Sequence, residues 1–216
     1  MADGSARNAA KILAGVSRET RAKLEIYEAE LRRWQRVKNL VGPSTLDQVW
    51  ERHFADSLQL QALAEGDVWA DLGSGAGFPG LVIAIARPGT HVHLIESDSR
   101  KCAFLRHVAR ATGAPARVWE GRIEAVLPKL DPVPQVVSAR ALASLHDLLG
   151  LAAPLLMKGA TGLFPKGRDH AFELTKAAES WRFEADEIQS AVDPDGRILR
   201  IRHFDGRLKN RPTDPV

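Results

Sequence analysis

A β-rich run, VWADL at 68–72, passes without a break into GSGAGFPG at 73–80. Glycines fall at 73, 75 and 77, and Pro79 stands where a helix begins. This stretch constrains the chain more than any other. Glycine tolerates positive φ and lets main-chain N–H groups come close to a ligand. Proline suits the first turn of a helix, where its missing N–H costs nothing. A strand that runs through such a turn into a helix is the opening unit of an α/β sheet, whose ligands sit at the carboxyl ends of the strands. Donors in the turn and at the helix start favour an anionic group there.

The rest of the chain repeats the alternation. VHLIE (92–96), ARVWEG (116–121), QVVSAR (135–140) and TGLFPK (161–166) are β-rich, and helical stretches lie at 79–87, 99–112, 123–130 and 142–157. Strands alternating with helices predict a parallel sheet covered on both faces. The end breaks the pattern, because WRFEADEIQS and RILRIRHF flank DPDG at 193–196 as an antiparallel hairpin. The predicted fold is α/β, the Rossmann-like, mostly parallel sheet of class I methyltransferases, closed by that hairpin.

Ahead of the sheet, Leu24, Tyr27, Leu31 and Trp34 mark one apolar stripe of a helix over 17–41, capped by Ser17. A second helix over 45–63 starts with Thr45 and Gln48 at capping-box spacing and carries His53, Asp56 and Ser57 on one side. The predicted organisation is an N-terminal helical extension over 1–63 and a Rossmann-like domain over 64–216, with residues 1–16 loose.

The glycine spacing narrows the ligand. Gly73 and Gly75 fit the dinucleotide fingerprint, but its third glycine position falls on Phe78, which disfavours a nicotinamide cofactor. G-x-G-x-G after Asp71 instead resembles the first motif of S-adenosylmethionine-dependent methyltransferases. Glu96 ends the next strand, where an acid accepts hydrogen bonds from ribose hydroxyls.

Charge then bears on the partner. The net charge is only +3, but Arg32, Arg33, Arg36 and Lys38 cluster at 31–38, and Arg197, Arg200, Arg202, Arg207, Lys209 and Arg211 follow at 197–211. Such stretches are either solvated faces or a nucleic-acid footprint. The longest apolar runs, at 80–86 and 148–157, fall short of the ~20 residues of a membrane helix. With the single Cys102 and no leader-like segment, they predict a cytoplasmic protein without a disulfide within the chain.

DLGSGAGFPG (71–80), together with WQRVKNL (34–40), ERHFADSL (51–58), GRIE (121–124), SARALASL (138–145) and PKG (165–167), resembles the bacterial 16S ribosomal RNA guanine-N7 methyltransferase family, known as RsmG or glucose-inhibited division protein B. The likeness runs from Trp34 to Gly167 in one order. It departs at Gln35, where the family usually has Asn, and at Pro165 within a predicted strand. The resemblance implies methylation of N7 of guanine 527, in the 530 loop of 16S rRNA, with S-adenosylmethionine as cofactor. It implies 16S rRNA, in the small ribosomal subunit or its assembly intermediate, as the partner; the sequence itself calls for no membrane and no metal, and it leaves the oligomeric state unknown with a monomer favoured. By motif match, Gly73 and Phe78 line the methionine and ribose region, Ile123 and Glu124 border the adenine, and Arg140 sits where cofactor meets substrate. With Gly75 and Glu96, these form the expected cofactor set.

Guanine N7 has an in-plane lone pair and no proton, so transfer needs alignment rather than a base. O6 lies beside N7 as an acceptor. Arg140 or Lys166 is the candidate donor to O6, and Asp56 the candidate acceptor for the base's N–H groups. His53 reads as a surface pair or a brace. Two other functions fit the same cofactor motifs: a small-molecule methyltransferase, and a non-catalytic RNA-binding or assembly protein.

Overall fold

A computed structural model describes residues 2–36 and 39–208. Seven strands form one sheet in the order β3-β2-β1-β4-β5-β7-β6. β1 (Val68–Leu72), β2 (His91–Glu96), β3 (Ala116–Glu120), β4 (Val136–Ser138) and β5 (Thr161–Lys166) are parallel. β7 (Arg197–Arg207) inserts antiparallel between β5 and β6 (Trp181–Gln189). β1 and β4 lie side by side and parallel, and the order of successive strands reverses between them. That crevice is where ligands of such sheets bind. Pro165 stays within β5 because β4 pairs only as far as Leu163, so past that point one flank of β5 has no parallel neighbour to bond.

Helices cover both faces. α4 (Gly80–Ala86) and α5 (Ser99–Thr112) bury Leu81, Ile83, Phe104 and Leu105 on one face. α6 (Ile123–Val126), α7 (Leu145–Leu156) and α8 (His170–Ala178) cover the other. Local chemistry sets their ends. Asp98 caps α5 by accepting from the Arg100 and Lys101 amides, and Gly113 closes it at φ 62°.

The N-terminal helices belong to the first core. Leu24, Tyr27 and Leu31 of α2 (Arg18–Gln35) are fully buried with Trp69, Leu81 and Phe104. Ser17 caps α2 through the Thr20 amide, as its position predicts. The helix ends at Gln35, short of the expected 41. There the Gln35 carboxamide accepts from the Leu40 and Val41 amides and donates to Val41 O, organising the exit loop.

Two expectations are corrected. Ala2–Ala14 is a helix, α1, rather than loose chain, because Ala9, Ile12, Leu13 and Val16 form an apolar stripe that meets the core. The helix expected over 45–63 is a run of short pieces: 3₁₀ over Pro43–Gln48, π over Trp50–Ala55, α3 over Asp56–Leu58 and 3₁₀ over Gln59–Ala62. Gly42 stands at its cap position, and Thr45 donates back to Gly42 O at 2.8 Å instead of capping. π turns recur at functional sites, and this one carries His53.

Candidate functional site

The β1–α4 turn is braced from both sides. Gly73 has φ +63°, and a Cβ there would meet the Leu142 side chain at 2.5 Å. Gly77 has φ +101°, and a Cβ there would meet the Tyr27 hydroxyl at 2.5 Å and Leu81 Cβ at 2.9 Å. Tyr27 reaches from α2 to donate its O–H to Ala76 O, and its ring stacks on Phe78 at 5.4 Å. Asp71, beneath the turn, is fully buried. It accepts from Ser138 Oγ at 2.7 Å through Oδ1, while no hydrogen bond within 3.5 Å reaches Oδ2 among the described residues. Burial pushes its carboxyl up to about 6, against the pull of the Ser138 hydroxyl.

Glu96 is buried at the end of β2. Its Oε1 accepts from the Ser97 and Asp98 amides at 2.7 and 2.8 Å, and its Oε2 from the Gly75 amide at 2.9 Å. A carboxylate has about four acceptor positions. Three are taken, leaving room for a further donor such as a hydroxyl. The Gly75 N–H, a candidate donor to an anionic ligand, faces Glu96 instead.

These parts enclose a cavity of about 560 Å³. Gly73, Gly75, Phe78, Glu96, Ile123, Glu124 and Arg140 all line it. Sequence reasoning did not assign Leu40, Val41, His53 and Leu142 to its wall. A larger cleft of about 1100 Å³ adjoins it, lined by Arg52, Asp56, Lys166, Glu173 and the 190–197 turn among others. Thr45, His53, Arg140 and Ala141 line both spaces. Ala141 takes φ +52°, uncommon for a residue with a side chain, at this shared wall.

Arg140 extends from β4 into a tight constellation. Its Nη1 donates to Asp56 Oδ2 at 2.9 Å and to Arg52 O at 3.2 Å, and its Nη2 donates to His53 Nδ1 at 2.9 Å. The guanidinium lies over the Phe78 ring at 5.1 Å, and the His53 ring stacks on Phe78 at 4.7 Å. Burial, then Arg140 and Arg52, hold the His53 pKa at about 4. Asp56 is therefore the partner of Arg140, and its Oδ1 accepts from Gln59 Nε2 at 2.8 Å. Lys166 is held as well, donating to Ala143 O and to Glu173 Oε2 at 2.7 Å each. Glu173 lies on α8, a helix the sequence reading did not anticipate, and its Oε2 also accepts from the Leu145 amide at 2.6 Å.

The family described as GidB, rRNA small subunit methyltransferase G, matches residues 20–198 of the chain. The chain belongs to this family. Its GidB-family relatives include the Ribosomal RNA small subunit methyltransferase G of Methylorubrum extorquens, 57% identical over 190 residues, or 86% of this chain and 90% of the relative. The protein of that name from Rhodospirillum centenum is 59% identical over 190 residues, 87% of this chain and 86% of its own. Among solved structures, a putative O-methyltransferase from Klebsiella pneumoniae aligns with a TM-score of 0.57 at 13% identity, covering 93% of this chain and 98% of that one. The O-methyltransferase TomG from Streptomyces achromogenes, in complex with SAM, aligns at 0.55 and 14% identity, covering 84% and 89%. These distant likenesses establish the class I methyltransferase fold. The GidB-family match starts after α1, although Ser5, Ala6 and Ala9 of α1 line the larger cleft.

The basic stretches of this GidB-family chain are partly neutralised from within. Arg32 pairs with Glu28 at 2.9 Å and with Asp47 at 3.3 Å, and Arg33 sits 3.8 Å from Glu30. Arg200 and Arg202 share Asp186 at 2.8 and 2.9 Å. Those acids lie one helical turn away, across a loop or on the neighbouring strand, outside the stretches themselves. Arg197 lines the larger cleft and pairs in register with Lys166 of β5 from the adjacent strand β7. Lys38, Lys209 and Arg211 lie outside the described residues. Among the described residues, no helix is long and apolar enough to cross a membrane.

Proposed function

We propose that this chain transfers the methyl group of S-adenosylmethionine to N7 of a guanine, guanine 527, in 16S rRNA. The observation that carries the reading is the pair of adjoining cavities with Arg140 in their shared wall. The smaller cavity suits the cofactor. Its volume falls within the usual ~300–1,000 Å³ of small-molecule sites. Gly73 and Gly75 keep the floor free of side chains, Glu96 retains acceptor room for a ribose hydroxyl, and Ile123 and Glu124 border the far end. When bound, the cofactor supplies a methyl group made electrophilic by its sulfonium.

The residues then have to orient, not to move protons. N7 is unprotonated in neutral guanine, so no side chain need act as a base. Arg140 offers donors to O6 from the shared wall. Its positive charge stands near a cationic cofactor, and Asp56 at 2.9 Å offsets it. His53, held neutral, adds no charge of its own. Lys166, tied to Glu173 and Ala143 O, braces the loop at Ala143 and the start of α7, and borders the base side. The open, charged character of the larger cleft favours an RNA acceptor over a small molecule, which calls for a closed apolar pocket. The base must leave its stack to enter. The partner is the small subunit or an assembly intermediate, met by a monomer in the cytoplasm.

Mass mapping of 16S rRNA, with S-adenosylmethionine and purified enzyme, tests this. N7-methylguanine at position 527 is expected with the wild type. Arg140→Ala is expected to lower turnover about 100-fold, since loss of alignment costs on that order. Full turnover by both Arg140→Ala and Lys166→Ala would remove the assigned roles.

A further inference from the structure

We propose that His53 is a positioning residue for methyl transfer, one that acts through Arg140 by presenting a single, proton-free nitrogen to its guanidinium. The inference rests on the function proposed above and extends it to a residue that the sequence reading left as a brace.

Arginine has donors and no acceptor, so the 2.9 Å contact between Arg140 Nη2 and His53 Nδ1 has one polarity. Nδ1 accepts and carries no proton. The ring proton is then on Nε2, which donates to Thr45 Oγ1 at 3.0 Å. Thr45 in turn donates to Gly42 O at 2.8 Å. A doubly protonated ring would set a donor against a donor and break the chain at its first link. The ring is further fixed by its stack on Phe78, 20° from parallel.

This arrangement gives Arg140 a particular pose. Asp56 and Arg52 O take both Nη1 donors, and His53 takes one on Nη2. Among the described residues, the Nε–H and the second Nη2–H make no hydrogen bond. These two N–H groups remain for a ligand acceptor such as a guanine oxygen. The two anchors of Arg140 also lead in opposite directions. Through Thr45 and Gly42, His53 reaches the loop whose Leu40 and Val41 wall the smaller cavity. Through Gln59, Asp56 reaches the Ala191 amide in the hairpin turn of the larger cleft. Arg140 is thus held between an element of each chamber. An arginine side chain has much rotamer freedom to lose on ordering, and removing one anchor returns part of that freedom.

The test is a double-mutant cycle, read as methyl transfer from labelled S-adenosylmethionine to 16S rRNA and as calorimetric cofactor binding. His53→Phe keeps a stacking ring and loses the acceptor. It is expected to lower kcat by about 10- to 100-fold, the scale of one hydrogen bond to a charged group, with cofactor Kd within about 3-fold. His53→Asn, whose amide oxygen lies near the Nδ1 position, is expected to recover most of the loss. Adding His53→Phe to Arg140→Ala is expected to cost less than about 3-fold more, because residues acting as a unit are non-additive. Full additivity, an Asn variant no better than Phe, or a loss confined to cofactor affinity would overturn the proposal. Should His53→Phe not fold, His53→Gln runs the same cycle, because it lacks an acceptor at the Nδ1 position. A wild type that transfers no methyl to 16S rRNA would instead defeat the proposed function, an outcome distinct from an additive cycle.

Discussion

The two cavities are built by different means. The smaller is framed by consecutive main chain: the 73–79 turn, the end of β2 and the start of α6, each at the carboxyl edge of a parallel strand. Its buried carboxylate, Glu96, is held by three main-chain amides. The larger is framed by side chains from distant segments, with Arg140–Asp56 spanning 84 residues and Gln59–Ala191 spanning 132. Main-chain sites tolerate changes of side chain and fail when the backbone is disturbed. Side-chain networks fail one link at a time. The contrast suits a common cofactor set beside a substrate that must be recognised by its particular edges.

Gly77→Ala attacks the main-chain site where it is most crowded. A side chain at φ +101° is strained, and the new methyl overlaps Tyr27 and Leu81. A loss of about 2–5 kcal/mol is expected from strain and overpacking together, read by urea denaturation, with cofactor binding lost in parallel. Unchanged stability would mean that the turn is not braced as described.

Asp71 offers a gentler probe of the same region. Its carboxyl is raised from an ordinary value of 3.8 to about 6 in the folded state. Between those values the folded protein keeps a proton that the unfolded chain has released. This group's contribution to stability therefore falls as pH rises from about 4 to about 6, then levels. The span is about 3 kcal/mol at most. Asp71→Asn should flatten that part of the pH–stability curve, and an unaltered slope would assign it to other groups.

The smallest effect is expected in the side-chain network. Gln59→Leu keeps volume but releases Asp56 and the hairpin turn from each other. A rise of about 5-fold in KM for ribosomal RNA is expected, the scale of one typical hydrogen bond in net terms, with cofactor Kd unchanged. A change in cofactor affinity instead would erase the distinction between the two chambers.

The same contrast governs what could be read from the sequence. The alternation of strands and helices, the glycine turn and Glu96 are local patterns, and each falls where its spacing puts it. Network partners are not local. Glu173 could not be matched to Lys166 without knowing that α8 returns over the end of β5. The acid that neutralises both Arg200 and Arg202, Asp186, sits on the neighbouring strand, invisible in a count along the chain. The α1 helix was missed although its signal is local, since Ala9, Ile12 and Leu13 share one helical face. The π turn around His53 was not, because its period departs from the helical spacing used to find it.

The phenol of Tyr27 has one more consequence. It enters from the N-terminal helices, yet its hydroxyl is bound to the glycine loop and its ring is packed beside Phe78. A shortened chain beginning at the first strand would leave a ring-sized void beneath the glycine loop. Grafting that strand-and-loop segment onto another scaffold would meet the same gap. The helices preceding the sheet are thus a piece of the foundation of the cavity that this loop frames, and the two stand or fall together.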